Sequence, residues 1–208
     1  NIVKLLIENG ADVNIQNNFG TTPLHIVSIY GNLDIVKLLI KNGANINIQN
    51  VNGCTPLYYI YQSGYLNIAN FFIRNGININ IKNKWGNTLL HNACNNGHLN
   101  IVKFLIENGS DVNFKDEDGE TSLYNACCNN HLDIVKFLIE NGATFNIQNK
   151  LDNSPLHRAC ENQCFDVVKF LIENGATVNI KNKWDNSPLH NACDDHDECL
   201  DIVKFLIE

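Results

Sequence analysis

The sequence predicts an all-α solenoid, in which helix–turn–helix repeats stack and are joined by short β-hairpin-like loops. Three words that recur along the 208 residues support this prediction. The word IVKLLI has copies at 2–7, 35–40, 68–73, 101–106, 134–139, 167–172 and 202–207. The word TPLH has copies at 22–25, 55–58, 88–91, 121–124, 154–157 and 187–190, and the word NGANIN has copies starting at 9, 42, 75, 108, 141 and 174. A period of about 33 residues is typical of proteins whose repeats cover one another's apolar faces.

Each repeat contains signals for two helices. Thr22 suits the N-cap and Pro23 the first helical position, so we expect a first helix over residues 23–30. A second helix is predicted over residues 33–41, and its many apolar residues indicate that it is covered on most sides. Gly43 follows its last turn, where helices commonly end in a left-handed residue.

The loop after the second helix predicts a hairpin. Residues 44–48 alternate between apolar and polar, as an extended arm does. Residues 51–53 have the composition of a turn, so we expect the loop to reverse there.

These words together resemble ankyrin repeats, and the resemblance covers the whole chain. It implies a single, monomeric array over residues 1–208, with a partial repeat at 1–16, full repeats at 17–49, 50–82, 83–115, 116–148 and 149–181, and an incomplete repeat at 182–208. Because the chain begins and ends within a repeat and contains no methionine, we expect a longer parent array. Residues that depart from the family pattern are Tyr58, Leu89, Ser122, Tyr124, Asp152, Gln163 and Asp185.

Composition argues against several classes of function. The net charge of −7 is unfavourable for a protein whose main partner is nucleic acid, since phosphate binding needs clustered lysine and arginine. No apolar run approaches 18 residues, so no membrane span is predicted. The sequence has no phosphate-binding loop, nucleophile elbow or metalloprotease motif, which predicts a protein that is not an enzyme and has no cofactor.

Histidines and cysteines recur with the repeats, which argues against a metal site. His25, His91, His157 and His190 share one position, and the resemblance implies that this histidine orients the neighbouring turn. The cysteines at 94, 127, 160 and 193 form a second column. Stacked helices lie about 10 Å apart, whereas a disulfide needs Cα atoms within about 7 Å. We therefore expect small, reduced, buried thiols and a cytoplasmic protein.

A column of asparagines in the loops has two interpretations. Asparagine tolerates turn geometry and can bond its own backbone. Alternatively, the resemblance implies that such residues can be hydroxylated by an oxygen-dependent dioxygenase. The column comprises Asn14, Asn47, Asn80, Asn113, Asn146 and Asn179.

The resemblance implies binding of a protein through the concave face, formed by the loop tips and the exposed side of the first helices. Positions that vary between repeats on this face are the candidates. Apolar candidates, which are typical interface anchors, are Phe19, Tyr30, Trp85, Leu151 and Trp184. Acidic candidates, which would favour a partner with basic residues, are Glu117, Asp118, Glu120, Asp194 and Asp195. Alternatively, each ring stiffens the array against the next loop, and the acidic residues serve solubility.

The sequence thus predicts a non-catalytic scaffold or adaptor that binds an unidentified protein partner. Two other functions stay open. The array could be a structural spacer or spring, or it could be a regulatory segment of a larger enzyme or channel. Because these functions follow from fold-level analogy, they are weaker than the fold prediction.

Overall fold

The computed structural model describes residues 2–194 and 200–207, except for the side chain of Gln62. These residues form thirteen α-helices and no strand, so the predicted all-α class is confirmed. The helices are α1 (Ile2–Glu8), α2 (Pro23–Tyr30), α3 (Leu33–Lys41), α4 (Pro56–Gln62), α5 (Leu66–Arg74), α6 (Leu89–Asn95), α7 (Leu99–Glu107), α8 (Ser122–Cys128), α9 (Leu132–Glu140), α10 (Pro155–Glu161), α11 (Phe165–Glu173), α12 (Pro188–Cys193) and α13 (Leu200–Ile207). Even-numbered helices are the first helix of a repeat, and odd-numbered helices are the second.

The first helices begin as the sequence predicts. At the start of α2, the Thr22 side chain accepts a hydrogen bond from the His25 backbone N–H, and the His25 side chain accepts from the Thr22 N–H. This reciprocal arrangement is a capping box, which satisfies two backbone donors at the helix start. Ser154 and His157 repeat it at α10. The TPLH word is therefore a helix-start signal as well as a repeat marker.

Six of the second helices, α1, α3, α5, α7, α9 and α11, end in a Schellman motif. At the end of α3, the Ala44 N–H bonds the Leu39 carbonyl at 3.0 Å, and the Gly43 N–H bonds the Ile40 carbonyl at 3.1 Å. Gly43 has a φ of +87°, the left-handed conformation that this motif requires. In addition, the Asn42 side chain donates to the Leu38 carbonyl at 2.7 Å, so an asparagine helps to close the helix.

The chain forms two compact units, the N-terminal unit Asn1–Asn92 and the C-terminal unit Ala93–Glu208. In the N-terminal unit, α4 packs against α2 and α5. In the C-terminal unit, α10 packs against α8, α11 and α12. Each unit buries its own apolar core, and the repeat boundaries stay a prediction. Fully buried core residues are Leu24, Leu57, Ile60, Ile68 and Phe72 in the first unit, and Leu105, Leu123, Leu138, Leu156 and Leu171 in the second.

Each loop reverses in a short finger, at residues 17–21, 50–54, 83–87, 116–120, 149–153 and 182–186. The finger at 50–54 is closed by a hydrogen bond from the Asn50 N–H to the Cys54 carbonyl, at 3.0 Å. Left-handed residues other than glycine, among those described, are Asn130, Asp152, Gln163 and Asp185. The departures from glycine at the last three positions therefore leave the backbone conformation unchanged.

Candidate protein-binding surface

One side chain at the base of each finger holds the finger tip in place. The Asn50 Oδ1 atom accepts the N–H groups of Asn52 and Cys54, at 2.9 and 3.0 Å. Such an arrangement is an Asx turn, which fixes a tight reversal without regular secondary structure. The residues that occupy this position in the other fingers are Asn17, Asn83, Asp116, Asn149 and Asn182.

The tip residue of each finger lies two positions after this base residue, and within each unit the tip carbonyls of Phe19, Asn52, Asp118 and Leu151 accept a hydrogen bond from the next finger. In the N-terminal unit, the Val51 N–H donates to the Phe19 carbonyl at 3.0 Å. In the C-terminal unit, the Lys183 N–H donates to the Leu151 carbonyl at 3.1 Å. Phe19, Asn52, Trp85, Asp118, Leu151 and Trp184 occupy the equivalent tip position of their own fingers.

The apolar candidates of the N-terminal unit are exposed. Phe19 and Tyr30 have 70% and 75% of their surface accessible, and Trp85 has 48%. The Lys84 ammonium lies 4.5 Å from the centre of the Trp85 ring and donates to the Asn52 Oδ1 atom. The Trp85 ring is thus covered in part by the lysine of its own finger, and its other surface stays open to solvent.

The C-terminal unit brings four candidates together in one cleft of about 420 Å³. Glu120, Leu151, Trp184 and Asp194 all line it. The fingers and the even-numbered helices supply the other lining residues, which are Tyr124, Asn149, Asn153, Arg158, Glu161, Asn182, Asn186 and Asn191. The volume is within the range of ligand sites, about 300–1,000 Å³.

Two acidic candidates stand apart from this cleft, and a third is not described by the structure. Glu117 and Asp118 are exposed on the finger at 116–120, outside the cleft lining. Asp195 lies outside the described residues.

The cleft contains an ion pair and a carboxyl group in an unfavourable environment. Arg158 Nη1 donates to Glu161 Oε2 at 2.9 Å, and Arg158 Nε donates to the Cys128 sulfur at 3.3 Å. Burial raises the pKa of the Glu120 carboxyl, and the nearby Asp116 carboxylate raises it further, while the Asn149 hydrogen bond and Arg158 oppose the shift. A cation brought to this cleft would stabilise the ionised form of Glu120.

Asparagine side chains at the base of the fingers form hydrogen bonds with the preceding repeat. Asn149 Nδ2 donates to Glu120 Oε1 at 3.2 Å and to the Tyr124 hydroxyl at 3.4 Å. Asn182 Nδ2 donates to Asn153 Oδ1 at 2.8 Å. Because the base asparagines bind both their own finger and the preceding repeat, they fix the spacing of the cleft walls.

Sequence reasoning missed Arg158, Tyr124, Asn149 and Asn191 as lining residues. A signal was available for Arg158 and Asn191, since both occupy the position after TPLH, which varies between repeats. Asn149 carried no such signal, because the base of the finger is asparagine in five of the six fingers.

The repeated histidines have the role that the resemblance implies. His25 Nδ1 accepts the Thr22 N–H at 3.1 Å, so the ring proton is on Nε2, which donates to the Cys54 carbonyl at 3.0 Å. His157 makes the equivalent bonds to Ser154 and Asn186. Both rings are fully buried, whereas His190 is exposed. His25 and His157 thus each join a helix start to the next finger.

The asparagine column bonds different partners from those expected. Asn14 Nδ2 donates to the Gly43 carbonyl at 2.9 Å, and Asn14 Oδ1 accepts the Asn45 N–H at 2.7 Å. Asn113 makes the equivalent pair of bonds to Gly142 and Thr144. The expectation that these side chains bond their own backbone is therefore wrong for Asn14 and Asn113. Each of these side chains instead bonds one carbonyl and one backbone N–H of the next loop, and so joins two neighbouring loops.

The cysteine column is buried at Cys94, Cys127 and Cys160, and it is exposed at Cys193, the last residue of α12. Burial raises the pKa of the Cys160 thiol to about 12, so this thiol is protonated and a poor nucleophile at neutral pH. Within residues 2–194 and 200–207, no group of three or more potential metal ligands is found. Over the same residues, each helix is too short or too polar to cross a membrane.

Comparison with known proteins identifies the family. The sequence model described as ankyrin repeats (3 copies) matches residues 1–83, 62–149 and 141–208. The chain therefore belongs to the ankyrin-repeat family, whose members are generally protein–protein interaction modules and typically non-catalytic. A search of curated proteins gave no match.

Proposed function

We propose that this chain is a non-catalytic scaffold or adaptor module that binds a protein partner through its inner face. We define the inner face as the surface formed, within each compact unit, by the fingers and the even-numbered helices. The cleft of the C-terminal unit supports this proposal most directly. It combines an exposed tryptophan and leucine with carboxylates in a single concavity.

The physical basis of the proposal is the chemistry of the finger tips. Trp184 is 60% exposed and Leu151 is 45% exposed, although a tip without a binding role would be expected to be polar. Tryptophan is enriched among residues that dominate interface energetics, especially where a cleft allows it to be desolvated. The carboxylates at the rim would speed the approach of a basic partner.

The N-terminal unit would supply further contacts. Phe19, Tyr30 and Trp85 are its exposed candidates, at the finger tips and at the end of α2. Cytoplasmic localisation stays a prediction from the column of buried thiols.

Affinity capture from source-cell lysate tests this proposal. Four full-length forms are compared by mass spectrometry: wild type, Leu151→Ala/Trp184→Ala, Phe19→Ala/Trp85→Ala and the control Ile15→Ala. Ile15 is a suitable control because it is 62% exposed but does not lie in a finger. Proteins retained by wild type and control, but lost with either double variant, would support a partner on the inner face.

The melting temperature of each form separates binding from stiffening. Loss of capture at unchanged melting temperature supports an interface role. A lowered melting temperature with unchanged capture would show that the tips stiffen the array instead. Identical capture by all four forms would place the partner elsewhere, and capture of nothing by wild type would favour the spacer function.

A further inference from the structure

The lining of the C-terminal cleft has more negatively charged acceptors than positively charged donors. It includes the carboxylates of Glu120, Glu161 and Asp194 but one guanidinium, Arg158. Arg158 is already bound to Glu161 and to the Cys128 sulfur. The cleft is therefore net acidic, and its own cation is held on the Glu161 side.

One acceptor in the lining lacks a donor. Asn191 Oδ1 is screened from solvent and has no hydrogen-bond partner among the described residues. A buried carbonyl oxygen without a donor is unfavourable. A ligand N–H group would satisfy this oxygen once the Asn191 side chain turned towards the cleft.

An aromatic and an aliphatic surface border these acceptors. The Trp184 ring and the Leu151 side chain line the same cleft, and both are exposed. A guanidinium group is planar and weakly hydrated, and it stacks on aromatic faces while its edges donate hydrogen bonds. The methylene stem of an arginine side chain can also cover apolar surface.

We propose that the cleft binds an arginine side chain, presented by an extended basic segment of the partner protein, and this inference rests on the function proposed above. Glu120 and Asp194 would accept hydrogen bonds from the guanidinium, and Trp184 would stack on it. Arginine fits better than lysine because its donors spread over a plane and can reach separate acceptors, whereas an ammonium is a compact point charge. The cleft also has space for part of the backbone that carries the side chain.

Peptide pools test this inference directly. The full-length, labelled protein is applied to arrays of random heptapeptides, each pool having one of the twenty residues fixed at its centre. We expect the arginine pool to bind most strongly, ahead of the lysine pool, and its signal to fall as salt is added. Glu120→Gln and Trp184→Ala should each lower the arginine signal by roughly fivefold, since each removes one ligand contact.

Matched substitutions outside the cleft provide the controls. Ile15→Ala removes an exposed apolar side chain outside the fingers, and Glu107→Gln neutralises an exposed carboxylate at the end of α7. Both should leave the arginine signal unchanged. Circular dichroism melting of each variant verifies that it is folded.

The outcomes distinguish this inference from the proposed function. A pool other than arginine that binds best, with its signal lost in Trp184→Ala, would overturn the arginine inference and keep the cleft as a peptide site. An arginine signal that persists in both Glu120→Gln and Trp184→Ala would also overturn it. Uniform background from all pools and all variants would contradict the inference and argue against the cleft as a site for extended segments.

Discussion

The two compact units depart from the regular repeat in different places. In the N-terminal unit, the described left-handed residues are all glycines, but the packing of α4 on α5 is unusual. Tyr61 and Phe72 are fully buried there, at positions occupied in the C-terminal unit by Cys160 and Leu171. In the C-terminal unit, packing residues are regular, but four left-handed positions lack glycine.

The difference shows that neighbouring residues can maintain a local conformation that the residue at a given position does not favour by itself. In α4 and α5, the larger Tyr61 and Phe72 are accompanied by one smaller residue, Ala69, where the C-terminal unit has Val168. Cores tolerate such exchanges when the total volume is kept. At Asp152 and Gln163, the stacked repeats maintain a left-handed backbone that the residue itself disfavours.

The largest effect is expected from adding a side chain to a glycine turn of the N-terminal unit. A Cβ atom at Gly53 would lie 2.7 Å from the Lys84 backbone nitrogen, and Gly53 has a φ of +71°. We expect Gly53→Ala to lower the free energy of unfolding by about 2–5 kcal/mol, from left-handed strain and overpacking together. Urea denaturation measures the loss.

Gly43→Ala is the control for this prediction. Gly43 is left-handed, but a Cβ atom there meets no heavy atom within 4 Å. It should cost only the strain of about 1–2 kcal/mol. Equal losses in the two variants would show that the neighbouring finger yields, which contradicts the prediction.

A second effect is expected when the large core residue of the N-terminal unit is introduced at the equivalent position of the C-terminal unit. Cys127 is fully buried in α8, at the position that Tyr61 occupies in α4. Cys127→Tyr should destabilise by about 1–3 kcal/mol through overpacking.

Adding Val135→Ala, which copies Ala69, should recover about 1 kcal/mol in a double-mutant cycle, because the two changes exchange volume. Strictly additive losses would mean that the α4–α5 pair does not compensate in this way.

A smaller, stabilising effect is expected from restoring glycine. Gln163 has a φ of +55°, a conformation that a glutamine backbone disfavours. We expect Gln163→Gly to raise the free energy of unfolding by about 0.5–1 kcal/mol, since relief of strain exceeds the entropic cost of glycine. Asn130→Gly, at a φ of +56°, should gain less because asparagine tolerates this region. A gain at Asn130 that matched or exceeded that at Gln163 would rule out this explanation.

The smallest effect concerns a feature that both units share. Burial lowers the pKa of His25 and His157 below the ordinary value of 6.5, although their bonds to the Cys54 and Asn186 carbonyls oppose the shift. The folded state therefore prefers the neutral ring. The stabilisation is complete above pH 6.5, and it is lost as the pH falls from 6.5 through the folded-state pKa values, because the unfolded chain binds protons first.

His25→Gln/His157→Gln should flatten the fall in unfolding free energy between about pH 7 and pH 5. The exposed, non-titrating Ile15 provides a control, and Ile15→Ala should keep the wild-type slope. Parallel slopes for the double variant and wild type would refute the assignment.

Much of this fold could be predicted because its signals are local. Thr22 and Gly43 mark helix ends through backbone chemistry that operates within a few residues, so the bounds of α2 and α3 were predictable. The cleft was less predictable, because its walls come from three fingers and three helices. The charge of Arg158 acts to lower the pKa of Glu120, which lies thirty-eight residues earlier in the chain. Nothing in either local sequence indicates that these two charges interact. The hydrogen bonds of the Asn14 side chain could not be predicted either, because its partner lies in the next loop, twenty-nine residues later.

The backbone bonds between finger tips give four finger interfaces, two in each compact unit, a separate reporter for hydrogen exchange. The amides of Val51 and Lys84 in the N-terminal unit, and of Lys150 and Lys183 in the C-terminal unit, each donate to the preceding finger. A single amide is protected only while its two fingers are joined, so its exchange rate measures the opening of that one interface. The stability of a repeat protein is approximately the sum of the stabilities of its repeats and of the interfaces between them. The exchange rates of these four amides would report four of those interfaces separately.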